Sequence, residues 1–153
     1  MCEKCDYTNL LESRGLETIP NRVRVIEIVG NSSSPLSARD VHDTMSRTQE
    51  INRVTVYRIL DLLVENGLLE KISTADRAFH FGMAPNSNHP AHPHFYCRTC
   101  GAIECLSPES LQLEMEALNR TFPGMIEKAA VRFDGVCKTC LRRQRKHEGP
   151  AQK

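Results

Sequence analysis

The chain contains no run of about 18 apolar residues, so no segment is suited to crossing a bilayer, and no membrane partner is expected. Its first fifteen residues, MCEKCDYTNLLESRG, lack both the apolar core and the small-residue cleavage site of an export signal. A cytoplasmic location is expected. Excess positive charge is missing too: the formal net charge is +1, and residues 1–83 hold 10 Lys+Arg against 12 Asp+Glu. Bulk electrostatics therefore gives no support for nucleic-acid binding, and any such reading must come from local pattern.

What is present is cysteine. Seven cysteines in 153 residues, with no export signal, argue against a disulfide framework, because cytosolic thiols stay reduced and serve as metal ligands or redox centres. The odd count agrees. Two small units of this length each bury too little apolar surface to be robust alone, so a staple or a partner subunit is expected.

The first half reads as three helices and a hairpin. In PNRVRVIEIV, residues 20–29, Val23, Ile26 and Val29 recur at helical spacing, Pro20 suits a first turn and Gly30-Asn31 a stop. Ser37-Ala38-Arg39-Asp40 has the form of a capping box and opens a second helix to about Arg47. A third runs from about Asn52 to Asn66, with Val56, Ile59, Leu60 and Leu63 on one side and Gly67 as its left-handed stop. Asn52, Thr55 and Arg58 line the other side. LLEKIS and RAFHF then form two short strands joined by Thr74-Ala75-Asp76. This order describes a winged helix-turn-helix over residues 15–83, its third helix entering the major groove and its hairpin lying along the backbone.

Residues 84–94, APNSNHPAHPH, lack periodicity and read as a hinge. A second unit over 95–141 is expected to contain a strand-like CxxC knuckle, a helix from Pro108 to about Phe122 capped by Ser107, and a strand in MIEKAAVRFDGV before a second CxxC. The tail, 142–153, is polar and expected to fray. The fold class is thus α+β, a winged helix followed by a small α/β unit.

Cys97/Cys100 and Cys137/Cys140 are two CxxC pairs with 36 residues between them. Each CxxC turn presents two thiolates to one ion, and two turns complete a tetrahedral site. Structural zinc, one ion per chain, is the reading, against redox disulfides or unbound thiols. The ion ties the start of the unit to its end, supplies folding energy, and leaves no open coordination position for catalysis.

Thr55-Val56-Tyr57-Arg58 on the third helix, His92-Pro93-His94-Phe95-Tyr96-Cys97-Arg98-Thr99-Cys100-Gly101, and Gly135-Val136-Cys137-Lys138-Thr139-Cys140, in this order, resemble the ferric uptake regulator family over roughly residues 14–140. Within the family they look most like the zinc-uptake branch. The resemblance implies a homodimer of winged-helix domains joined to dimerisation domains, repressing transcription from a double-stranded DNA operator when a sensed divalent metal is bound. It implies no enzyme.

The family's sensory ligands map onto His80, His92, His94 and Cys105, with His89 an alternative to His92. Where the iron-sensing branch commonly has carboxylates, this chain has His80 and Cys105, and the mixed His/Asp set of the peroxide-sensing branch is also lost. An early family histidine aligns with Pro35. A further family site falls on Gln112 and Ala129 and is not expected here. Three imidazoles and one thiolate favour a tetrahedral, softer-ligand ion, so the regulatory metal is expected to be zinc rather than manganese or ferrous iron. On residues alone, a strand-end histidine such as His80 is more often a surface or satisfied residue than a ligand, and Cys105 suits a small buried apolar position. His42 and His147 are expected to face solvent, and Cys2 and Cys5 form a third CxxC in an exposed tail.

For DNA, Arg58 is the candidate base contact, since its fork bonds both major-groove acceptors of guanine. The resemblance assigns Tyr57 to a thymine methyl or sugar. Asn52, Arg53 and Thr55 suit phosphate or edge contacts that position the helix. A merely solvated stripe is the bland alternative, and Glu17 stands where the family often has a basic residue. The expected function is a zinc-dependent repressor of metal-uptake genes. Alternatives are an iron or peroxide regulator of the same family, a zinc hydrolase using Glu104 as base beside an open His/Cys site, or a metal-buffering protein.

Overall fold

The computed structural model describes residues 5–75 and 77–147. They form two compact units that divide between Ala91 and His92.

In the first unit α1 is Tyr7–Ser13, α2 Pro20–Gly30, α3 Ala38–Ser46 and α4 Arg53–Glu65, with strands β1 Leu36–Ser37, β2 Leu69–Ser73 and β3 Phe79–Met83 in the order β1-β3-β2. The signals at helix ends act as expected. The Ser37 hydroxyl accepts from the Asp40 N–H at 3.1 Å while the Asp40 carboxylate accepts from the Ser37 N–H, a complete capping box. Gly67, at φ +69°, ends α4 with the Leu68 N–H on Leu63 O and the Gly67 N–H on Val64 O, the paired bonds of a Schellman stop. Val25, Ile26, Val41, Met45, Val56, Leu60 and Leu63 are fully buried, so α2, α3 and α4 close one core over the sheet.

Two features of this unit correct the sequence expectations. The domain does not start at residue 15: Leu11 on α1 is fully buried in the same core, and the ring of Tyr7 lies where a Cβ at Gly30 would stand. This helix escapes a periodicity search because a seven-residue element shows too few repeats. His42 does not face solvent. Its side chain is 15% exposed, and Nε2 lies 3.1 Å from the Ile51 carbonyl oxygen across the α3–α4 turn.

The second unit holds β4 His94–Cys97, β5 Ile103–Cys105, α5 Met115–Thr121, β6 Arg132–Gly135 and α6 Lys138–His147. The sheet order is β5-β4-β6, antiparallel on one side of β4 and parallel on the other. Here the sequence expectations need more correction. The 84–94 segment is not featureless: Asn86 and His89 exchange backbone hydrogen bonds, and His94 already belongs to β4. The helix expected from Pro108 reduces to one 3-10 turn, Pro108–Ser110, then extended chain at Leu111 before α5. Leu113, Leu118 and Phe122 stay exposed there, and without packing a short helix has little to hold it. Of MIEKAAVRFDGV only the four residues that pair with β4 form a strand. The tail is helical as far as His147, because Cys140 anchors its first turn in the core and Arg, Gln and Lys are strong helix formers. Cys2, Asp76 and residues 148–153 lie outside the described residues.

Candidate metal centres and nucleic-acid interface

β4 ends at Cys97, and the chain turns through Arg98 and Thr99 so that the Gly101 N–H returns to the Cys97 carbonyl at 2.8 Å. Gly101 has φ +74°, a conformation that costs an L side chain but not glycine, which is why the CxxC knuckle is followed by glycine. β6, parallel to β4, delivers Cys137 beside Cys97, and α6 carries Cys140 in its first turn. The four sulfurs lie within 4.8 Å of one another, with Cys100 Sγ and Cys137 Sγ 3.8 Å apart. Zinc–sulfur bonds of about 2.3 Å in a tetrahedron give an edge of roughly 3.8 Å, so the donor set fits the ion.

The Cys137 N–H donates to Cys97 Sγ at 3.3 Å and, with the Cys100 and Thr99 N–H groups, holds the Cys97 thiol down to about 6. Burial pushes Cys140 up to about 12, helped by hydrogen bonds among the cysteines. Zinc is bound by thiolates, so its binding to this cluster releases protons. Cys97, Cys137 and Cys140 themselves make up the unit's buried apolar cluster, with Phe95 and Val136 packed against it.

A second group assembles at the other end of β4. Donor atoms of His92, His94 and Cys105 lie within 4.8 Å of one another, and the two imidazole rings are 4.7 Å apart at 58°. Among the described residues no carboxylate belongs to the group. The histidine brought into it is His92; His89 lies in the first unit, in the turn with Asn86. His80 is also in the first unit, on β3, the central strand of that sheet, between Ser37 and Ile72. It sits near the start of its strand rather than the end, since the strand runs to Met83.

On α4 the buried residues Val56, Ile59, Leu60 and Leu63 fix the orientation, leaving Arg53, Thr55, Tyr57 and Arg58 exposed. Asn52 is the N-cap: its side-chain oxygen accepts from the Val54 N–H at 2.8 Å, so one of its polar atoms is already committed. Val54, not among the side chains expected at the DNA, is 53% exposed beside Tyr57 at 49%. The signal that could have found it is an apolar residue on the polar side of an amphipathic helix.

A winged-helix unit with an exposed face on α4, joined in one chain to a unit built on four clustered cysteines, defines a metal-dependent transcription regulator rather than an enzyme. The profile of the family described as "Ferric uptake regulator family" matches residues 13–123, and the chain belongs to that family of metal-responsive regulators. Among curated relatives, the ferric uptake regulation protein of Bacillus subtilis (strain 168) is 28% identical over 132 residues, covering 85% of this chain and 89% of its own. Among solved structures, the Helicobacter pylori ferric uptake regulator, described as having three functional metal binding sites, superposes with a TM-score of 0.70 at 17% identity, covering 87% of each chain. A zinc uptake regulator complexed with zinc and DNA superposes at 0.63 with 22% identity, covering 90% of this chain and 91% of that one. At these identities the two structures establish the fold alone. Among the described residues no helix is long and apolar enough to cross a membrane.

Proposed function

We propose that this protein is a cytoplasmic, homodimeric repressor that binds operator DNA when zinc occupies a regulatory site, and that it controls metal-uptake genes. The observation that carries the choice of metal is the group His92, His94 and Cys105, whose donors converge without a carboxylate. Imidazole and thiolate suit tetrahedral zinc, while manganese and ferrous iron prefer more oxygen and higher coordination. His80 is the fourth ligand in this reading, contributed by the first unit. A ligand set drawn from both units is satisfied in one arrangement of them, so the metal favours that arrangement, and affinity for DNA rises by the same coupling free energy, typically ~1–3 kcal/mol.

The second zinc, held by Cys97, Cys100, Cys137 and Cys140, stays bound and holds the second unit together. Dimerisation through this unit is supported by its surface: Leu113, Leu118, Phe122, Met125 and Phe133 are exposed in the single chain, Met125 at 79%, while among the described residues its buried apolar side chains are Tyr96, Ile103 and three cysteines. A second copy covering these side chains would supply the missing core. Two recognition helices then read major-groove faces about one helical turn apart. Arg58 reads guanine, Tyr57 and Val54 meet thymine methyls, and Asn52, Arg53 and Thr55 position the helix on the backbone.

The test is metal content per chain before and after mild chelation, with operator binding followed at buffered free-metal activities. Two zinc ions, one resistant and one exchangeable, with DNA binding tied to the second, are expected. Equal activation by ferrous iron at its own physiological activity would instead support an iron regulator, the reading favoured by the Bacillus relative.

A further inference from the structure

α6 begins directly after Cys137, and its first turn is fixed by Cys140 in the sulfur cluster. Its sequence, KTCLRRQRKH, holds five of the chain's 20 Lys+Arg and no acid. With about 3.6 residues per turn, Lys138, Arg142, Arg145 and Lys146 fall in one arc of roughly 100°, opposite the buried Cys140. All four are exposed, and among the described residues none makes an ion pair.

Helix stability alone does not explain this stripe. Cations in the last turn complement the helix dipole, which accounts for Arg145 and Lys146. Lys138, at the positive end, opposes it. Lys138/Arg142 and Arg142/Lys146 are like charges four residues apart, which repel. The stripe therefore costs the free protein stability that a polyanion would return. From Lys138 to Lys146 it extends about 12 Å, the axial length over which one DNA strand presents three to four phosphates.

We infer that α6 is a second DNA-contacting element, gripping the phosphate backbone without reading sequence through Lys138, Arg142, Arg145 and Lys146. The inference rests on the DNA-binding reading above. α6 lies beyond residues 13–123, the segment that matches the family profile. Because Cys137 and Cys140 flank and anchor its first turn, zinc in the four-cysteine site would also hold this basic face in shape.

The experiment measures the affinity of the full-length zinc-loaded protein for an operator duplex and a scrambled duplex across a salt series. The K138Q/R142Q/R145Q/K146Q variant and the milder R142Q/K146Q variant are compared with a charge-matched control, R98Q/R120Q/K128Q/R143Q, after equal zinc content and helicity are verified. The slope of log K against log salt is expected to become shallower by about 1.8 or more per chain in the fourfold variant, the change produced when at least two phosphates are no longer neutralised. The twofold variant should lose about half as much, the control markedly less, and the ratio of operator to scrambled affinity should be unchanged in all. An unchanged slope in the fourfold and twofold variants, or an equal loss in the control, overturns the inference while leaving the DNA-binding reading intact. Loss of polyglutamate binding with an unchanged DNA slope overturns it in favour of an acidic protein partner. Failure of the wild type to bind either duplex overturns both.

Discussion

His94 on β4 and Cys105 on β5 are direct cross-strand partners, the first buried and the second exposed. Residues opposite each other in an antiparallel pair share a sheet face, so the imidazole and the thiol converge without help from a loop. The neighbouring pair, Phe95 and Glu104, takes the opposite face. Glu104 is thereby separated from the ligand group, which removes the base that a hydrolase reading required.

Replacing either member of the pair should empty the exchangeable site only. In Cys105→Ser and His94→Ala proteins the chelation-resistant zinc should remain at one per chain, the dimer should persist in sedimentation, and metal-stimulated DNA affinity should fall by about 5–150-fold. A Cys105→Ser protein that still binds two zinc ions and responds normally would remove Cys105 from the site.

The four-cysteine cluster gives the opposite expectation, because its loss removes core rather than regulation. The unit's buried apolar cluster consists of three of the four ligands. Structural zinc contributes about 10–16 kcal/mol in small domains, against a whole-domain stability of ~5–15 kcal/mol. Cys140→Ser should lose both zinc ions and the α6 contribution to far-ultraviolet circular dichroism. A cooperative thermal transition from the first unit should survive, since its core is separate. A second unit that stays folded in the metal-free variant would refute the staple.

The parts of this molecule that announce themselves in sequence are those whose physics is local. Ser37 and Asp40 cap a helix three residues apart, Gly67 ends one by its own backbone, and each CxxC closes within a turn. Short and partner-dependent elements leave no such trace. α1 shows one buried residue in seven, β1 is two residues long, and α5 exposes the leucine that should have packed it. α6 reads as a frayed tail because its single buried residue, Cys140, is already accounted for as a metal ligand.

Tyr7 supplies a pH test of the first unit. Burial, and secondarily the Glu27 carboxylate, raise its phenol above the ordinary 10.0, and its hydroxyl donates to Asn31 Oδ1 at 2.9 Å. In the unfolded chain the phenol ionises at about 10, whereas in the folded protein it stays protonated to higher pH. The stabilisation is therefore complete below about pH 10 and is lost as pH rises through the folded value. Thermal denaturation of Tyr7→Phe should show a shallower alkaline fall than the wild type as the pH rises above about 10. Identical alkaline slopes would exclude Tyr7 as the linked group.

The division of labour on α4 can be separated by substitution. Arg58 is exposed one turn into the helix, and Arg53 opens it beside the Asn52 cap. A guanidinium forked onto guanine reads the base, so Arg58→Ala should weaken operator binding by about 1–3 kcal/mol and relax preference at one base pair, while scrambled duplex is bound nearly as before. A phosphate contact carries no sequence information, so Arg53→Ala should weaken both duplexes alike and make the salt slope shallower by about 1. Binding of Arg58→Ala to a panel of single-base operator variants decides between them. If its losses are uniform across the panel, Arg58 is a positioning contact, and the sequence is read elsewhere on this face, where Asn52, Val54, Thr55 and Tyr57 are also exposed.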